Sequence, residues 1–384
     1  MWPRSPVARS PEVRGALLEA AEVFERLYVL DLYANRRTTA IHEAVKGLNL
    51  AEAAGSVDAV ARLTVVCGVS AGFLALHRLA EAYIRRSLTV ADRAADPFVR
   101  AWVLQFAALY GIGMGRWVAA ADQLDEAAEI VQRVGDRRRL GEIKALQGCV
   151  AYFQGDLAGA ASLFAELRRY GSQHRNTQIQ AWALLAQATY AVRSGDPHQA
   201  TLILEDRRAP ALEALLHLRH DDWQAASKAV QAALAPVRAA PIKCYWYELY
   251  ATTAEAAIAL WHASRQRGSG EQSRLRAAAE QATWALRRYA KVFPIGQPRA
   301  LLYQGLLAWI DEQPMRARNA WRRSLAAAER LGMRYDEMLA HHQLGRHGDP
   351  SERDEHLARA RQLFAQLGIA DEVAGPDTLA AHLP

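Results

Sequence analysis

One small residue returns every 40 positions through the first half of this chain: Ala40, Ala80, Ala120, Ala160 and Ala200. A period of that length belongs to a supersecondary unit that cannot bury its apolar face alone and must stack on its neighbours. Four residues further on stand Ala44, Ile84, Leu124, Phe164 and Leu204. Seven further on come Gly47, Ser87, Ala127, Leu167 and Arg207, the last breaking the pattern. Offsets of four and seven lie on one helix face, small first and larger next, as close helix packing requires. Twelve residues before each alanine the chain has Tyr28, Gly68, Ala108, Gly148 and Ala188. Four of these five are small, which predicts a second helix per unit where another backbone comes near. The two helices are joined by ANRRTT, ALHRL, GRWVA, GDLAG and GDPHQ. In these turns Gly ends the first helix at little steric cost and Asp or Ser can cap the next.

Composition agrees with helices. The chain has 384 residues, 51% of them hydrophobic, with Gly at 24 and Pro at 14. Alanine leads the apolar set and alternating runs of Val, Ile and Thr are scarce, which argues against sheets. Cys67, Cys149 and Cys244 lie far apart with no CxxC spacing, so neither a disulfide framework nor a cysteine zinc site is expected. The opening MWPRSPVARSPEVRG has no apolar core segment behind it, and no uncharged apolar stretch approaches ~18 residues. The expectation is a soluble cytoplasmic protein that is neither secreted nor embedded in a membrane.

Small residues at these offsets around a Gly-led turn resemble the tetratricopeptide repeat, a stacking helical hairpin of 34 residues. The step of 40 departs from that length and implies longer helices. The expected fold is all-α, a right-handed solenoid of tetratricopeptide-like helix pairs. VAYFQGDLAGAASLFAEL, QAWALLAQATYAVRSGDPHQATLILE, KVFPIGQPRALLYQGLLAWI and RARNAWRRSLAAAERLGMRYDEMLAHHQLGRH together resemble the C-terminal repeat region of bacterial multidomain signalling proteins. In those proteins the repeats follow a nucleotidyl cyclase or Ser/Thr kinase domain and a P-loop ATPase domain. No GxxxxGK[ST] loop, kinase HRD loop or cyclase aspartate pair occurs here, so none of that family's catalytic residues carry over.

The lattice breaks after Ala200. EDRRAPALEALL places Pro210 where a long second helix should continue, and the next turn, DDWQAA, puts its alanine at Ala226, only 26 residues on. This divides the chain into a regular array of about five helix pairs over 1–207 and a less regular, continuous array of about four over 208–384. In the second, Ala278 and Ala317 are 39 residues apart, with Gly305 twelve before Ala317. The polar HASRQRGSGEQSR reads as a long exposed connection, and a last hairpin is expected from about Tyr335 to Leu367.

Candidate functional residues gather in the second array. CYWYELYATTAEAAIALW puts Tyr245, Trp246, Tyr247, Tyr250 and Trp261 on one helix, where they either line a concave groove or fill space between stacked pairs. From Trp284 to Arg330 nine Lys/Arg face three Asp/Glu, an excess equal to the net charge of +6 for the whole chain. Arginine beside Trp284, Tyr289, Tyr303 and Trp321 is the composition used for phosphate and single-stranded nucleic acid and could take an acidic ligand, but the leading reading of the segment is a solvated face or a protein-docking surface. FPIGQPRALLYQG forms a corner whose helix start, beside Arg299, could receive an anion. His341 and His342 point about 100° apart on a helix, so with His347 they make no two-histidine metal pair. No Ser/His/Asp or Cys/His set has a local signature.

The leading expectation is a non-catalytic, cofactor-free scaffold binding a protein or peptide partner, regulatory in bacterial signalling, with no metal and no membrane contact. Its expected contacts are Gln105, Tyr110, Lys144, Gln147, Gln180, Tyr245, Trp246, Tyr250, Trp284, Arg299 and Tyr303 on the first helices and the aromatic and basic segments. The alternatives are a small-molecule sensor or unrecognised enzyme using the aromatic and basic groove, and, less favoured, a nucleic-acid-binding regulator.

Overall fold

A computed structural model describes residues 7–8, 10–204, 209–239, 244–268 and 270–369. Among these residues there are eighteen α-helices and no strand. The first ten are α1 (Pro11–Tyr33), α2 (Arg37–Ala54), α3 (Val57–Phe73), α4 (His77–Ala91), α5 (Pro97–Gly113), α6 (Trp117–Val134), α7 (Arg137–Gln154), α8 (Leu157–Gln173), α9 (Thr177–Ser194) and α10 (Pro197–Leu204). The rest are α11 (Pro210–Arg219), α12 (Trp223–Ala239), α13 (Tyr247–Gln266), α14 (Gln272–Val292), α15 (Gln297–Ile310), α16 (Pro314–Leu331), α17 (Arg334–His347) and α18 (Arg353–Gln366). Odd and even helices pack as hairpins, so the architecture is the all-α helical repeat that the alanine comb predicts. No described helix is long and apolar enough to cross a membrane.

The comb is a packing code. All five alanines are buried at the start of an even-numbered helix. A Cβ on Gly68 would lie 2.9 Å from Ile84 Cγ1, one on Gly148 would lie 2.5 Å from Phe164 Cε1, and one on Gly305 would collide with the Trp321 indole. In each case the large partner stands sixteen residues on, so a missing side chain on one helix is the slot for a bulky one on the next. At the first tooth the sizes are exchanged, with Tyr28 the large buried residue and Ala44 the small one.

The turns repeat twice as often as the alanines. Asn35, Ala75, Gly115, Gly155 and Gly195 all have positive φ, and so do Gly55, Gly135 and Arg175 between them. One helix and its turn therefore occupy 20 residues, a half-period hidden in the sequence because Asn, Ala and Arg stand at three of the glycine positions. The capping role of the turn aspartates holds: Asp156 accepts from the Gly159 amide and Asp196 from the Gln199 amide, both at 2.9 Å.

Backbone contacts divide the chain into two compact units, 1–143 with 240–244, and 144–239 with 245–384. The seam expected at 207 falls on residues 205–208, which lie outside the described residues, and Pro210 opens α11. The exposed connection expected after Trp261 is shorter than its composition suggests. α13 continues to Gln266 and α14 begins at Gln272, because Arg265 is held by the Ile310 carbonyl and Arg276 by Glu280 and Asp311.

Candidate functional site

In the second unit four odd-numbered helices, α9, α13, α15 and α17, bring charged side chains into the interior. Arg193 lies in the last turn of α9, and Glu248, Thr252 and Glu255 mark successive turns of α13. Arg299 and Tyr303 are one turn apart on α15, and Tyr335 and Asp336 open α17. Each residue takes its position from the rigid helix that carries it.

These groups converge. Arg193 donates to Glu255 Oε2 at 2.6 Å, and to Glu248 Oε2 and Thr252 Oγ1 at 3.1 Å each. Arg299 Nε donates to Asp336 Oδ1 at 2.8 Å, and its Nη1 lies 3.8 Å from Glu255 Oε2. Tyr303 donates to Glu255 at 2.9 Å, Tyr247 to Asp336 at 3.1 Å and Tyr152 of α7 to Glu248 at 3.0 Å. Arg299 also faces the rings of Tyr335, Tyr247 and Tyr303 at 5.2 to 6.0 Å. The Arg193 and Arg299 side chains are 2% and 1% exposed.

Two guanidinium groups thus serve three carboxylates in a buried space. Burial would weaken the charge on Arg193, but Glu255 and Glu248 outweigh it; at Arg299 Asp336 does the same, so both stay protonated. Burial pushes Glu248 up, yet Arg193 and Arg299 together bring it below its usual range. At Asp336 burial prevails over Arg299 and the carboxyl sits above its usual range. Burial raises the Tyr152, Tyr247 and Tyr303 hydroxyls well above their ordinary value, so they remain donors.

An apolar seal completes this closure. Leu157 of α8 lies in one apolar cluster with Tyr335 and Met338 of α17, Leu363 and Phe364 of α18, and Leu367 just after α18. A Cβ on Gly155 would lie 2.7 Å from Arg334 Cβ and 2.9 Å from Leu367 Cδ2. The first helices of the second unit therefore meet its last, and the inner row is filled by its own side chains.

This corrects the expectation of an open groove. Arg299, Tyr303 and Tyr250 are inside the second unit, and Arg299 is a buried ion-pair partner instead of an anion receptor. Lys144 is paired with Glu166 at 2.7 Å, Gln180 donates to the Gly171 carbonyl at 3.0 Å, and Gln147 is half-buried. In the first unit Gln105 accepts from Arg139 at 2.7 Å and donates to Glu142 at 3.1 Å, while Tyr110 is buried against Gly72 with its hydroxyl 3.1 Å from His77. Trp246 is half-buried, and only Tyr245 and Trp284 are exposed. Glu255 was missed in the sequence, where its one signal is a lone carboxylate within the apolar run ATTAEAAIALW, and nothing there cues its partners on other helices.

The basic segment resolves into a paired and an unpaired part. Arg318 and Arg322 are held by Asp349, and Arg322 also by Glu352. On α14, Trp284, Arg287, Arg288 and Lys291 are all exposed, at helix offsets of 0, 3, 4 and 7. Arg288 stacks on Trp284 at 4.8 Å, and among the described residues none of the three cations has an acidic partner. An open depression of about 480 Å³ elsewhere in this unit is lined by Ala165, Arg168, Arg169, Ser172, Gln173 and Gln187.

One mixed donor set was missed in the sequence. Glu337 and His341 are one turn apart on α17, and with Glu329 of α16 they bring ligand-type atoms within 4.8 Å of one another. His341 also lies 2.9 Å from His356, nitrogen to nitrogen. Carboxylate with imidazole suits a divalent transition metal, but both Glu337 oxygens are already held by Arg334 and Arg359. Those guanidinium groups occupy the carboxylate a cation would need.

Fold and site together define an all-α helical-repeat protein whose second unit has an ionically filled interior and an exposed aromatic-basic face on α14. No family model matches the chain, and no curated protein is detectably similar to it in sequence. Among solved structures, the chain is similar to a Rap protein complexed with the competence and sporulation factor, at 11% identity and TM-score 0.46 over 93% of this chain and 99% of that one. It is also similar to the Rap conjugation gene regulator of plasmid pLS20 in complex with the Phr* peptide, at 12% identity and TM-score 0.41 over 96% and 99% of the two chains. A circular tandem repeat protein matches at 14% identity and TM-score 0.23 over 93% and 96%. At these scores the likenesses assign no family.

Proposed function

We propose that the protein is a non-catalytic helical-repeat scaffold that binds a protein or peptide partner through an acidic segment docked on α14. The observation that carries this reading is the exposed stripe of Trp284, Arg287, Arg288 and Lys291, with Trp284 54% exposed. An aromatic flanked by unpaired cations is the composition of an anchor for an acidic chain, with the indole supplying contact area and arginine bidentate carboxylate recognition. The carboxylates of the interior are engaged by arginine and tyrosine, which leaves them no role as acid or base toward a substrate. The Cys67 thiol is pushed up to about 12 by burial, which disfavours a nucleophilic thiolate. The resemblance of the repeats to those of bacterial signalling proteins supports a regulatory role for the scaffold.

Affinity purification from the native cell, run with the wild-type chain and with a Trp284→Ala/Arg288→Glu variant, tests the proposal. A protein retrieved by the wild type and lost, or weakened about tenfold to a hundredfold, with the variant is the expected result. Recovery of a nucleic acid or a metabolite with no protein, or of a protein indifferent to the variant, overturns it.

A further inference from the structure

The first and last described helices present opposite outer faces. On α18 the exposed residues are Asp354, Glu355, Arg361, Gln362 and Gln366 with two alanines between them, a polar face suited to solvent. On α1 the inward face is Ala21, Glu25, Tyr28 and Asp31. Its outer face carries Val13, Ala16, Ala20, Val23, Leu27 and Leu30, spaced alternately three and four, all exposed except the half-buried Ala20, and Leu30 is 64% exposed. Three-four spacing over more than two heptads is the pattern of a helix seam, and a face of this kind is found with a partner.

We infer that this face is a two-fold interface on which α1 of a second copy of the chain docks antiparallel. The argument is one of self-complementarity. When α1 is run against itself about a centre between Ala20 and Val23, the layers become Val13 with Leu30, Ala16 with Leu27 and Ala20 with Val23, each twice. Every layer sets a smaller residue against a larger one, which fills the seam evenly. Parallel pairing would instead place alanine on alanine at two layers and leucine on leucine at two others. The charges select the same arrangement. Glu19 and Arg26, both exposed and without an ionic partner among the described residues, flank the seam one heptad apart on the same edge. In the antiparallel pair each Glu19 meets Arg26 of the other copy, so one pair of residues supplies two ion pairs across the axis.

Sedimentation equilibrium of the full chain over a wide concentration range tests the interface, with circular dichroism to show that each variant is folded. The wild type is expected to dimerise reversibly, and Leu27→Glu/Leu30→Glu to be monomeric with unchanged helix content. Glu19→Arg and Arg26→Glu should each weaken the homodimer about tenfold or more, by setting like charges opposite each other twice. Two results are specific to a two-fold interface: the double variant Glu19→Arg/Arg26→Glu should regain wild-type association, and a mixture of the two single variants should form the heterodimer. A wild type that stays monomeric, a dimer indifferent to Leu27 and Leu30, or a double variant weaker than either single one would overturn the inference.

Discussion

The two units solve the same packing problem with different chemistry between their odd-numbered helices. In the first, polar links run mainly in small groups. Arg62 of α3 holds Glu25 of α1 at 2.9 Å, and Arg139 of α7 bonds Gln105 while lying 4.2 Å from the Trp102 ring centroid on α5. In the second, one cluster ties α7, α9, α13, α15 and α17 through Arg193, Arg299, three carboxylates and three tyrosines. The small-residue code is common to both units, whereas the buried ionic cluster belongs to the second. Stacking is therefore set by residue volume throughout, and the second unit adds a charge arrangement that fixes how its first and last helices meet.

The largest expected effects separate the two kinds of link. Arg299→Met leaves Glu255 and Asp336 short of positive charge in a buried site and should cost about 3–5 kcal/mol in urea unfolding. Arg62→Met strands Glu25 at a pair that keeps more solvent, with side chains 14% and 12% exposed, and should cost less, roughly 2 kcal/mol. Equal costs would erase the distinction. The shared code should respond alike in both units: Gly68→Ala and Gly148→Ala should each cost about 1–3 kcal/mol by overpacking. Phe164→Leu should recover part of the loss in the second case, and a fully additive pair of effects would deny the slot.

Tyrosine hydroxyls give a smaller contrast. Tyr303→Phe removes a donor to a buried carboxylate and should cost about 2 kcal/mol, while Tyr110→Phe, whose hydroxyl meets the His77 ring, should cost about 1 kcal/mol. The second unit also has a pH signature. His341 and His342 are brought down to about 4, chiefly by burial, with His356 adding to it at His341 and Arg346 at His342. The unfolded chain binds protons at these sites below pH ~6.5 while the folded one does not until about pH 4. Stability attributable to each histidine is therefore intact above that range and falls between pH 6.5 and 4, by at most about 1.4 kcal/mol per pH unit. Melting temperature followed over this window should decline less steeply in His342→Gln. Smallest is a gain: Ala75 has φ 61° at a turn position that glycine fills in later repeats, so Ala75→Gly should stabilise by roughly 0.5–1 kcal/mol.

The fold was legible because its signal is one of volume, and volume is written locally. Ala160, Gly148 and Phe164 can be placed on helices and faced toward each other from their spacing alone. The half-period of 20 was not legible, since Ala75 and Arg175 adopt a left-handed conformation that their identities do not announce, and Asn35, which tolerates it, stands alone. The site was less legible still. Arg299 reads as one cation in a basic run, yet its partners Asp336 and Glu255 lie 37 and 44 positions away on other helices. Charges that meet only through tertiary packing leave no periodic trace. Trp284, Arg287, Arg288 and Lys291 could be found because all four sit on one helix at recognisable offsets.

A double-mutant cycle on Arg299→Met and Asp336→Leu tests most directly whether the interior of the second unit is closed by its own ions. Measured by denaturant unfolding, each single change should be severe, and the double variant should lose at least about 2 kcal/mol less than the sum. If the inner row is instead an open, solvated groove, both single changes should cost under about 1 kcal/mol and their effects should add, with a coupling near zero.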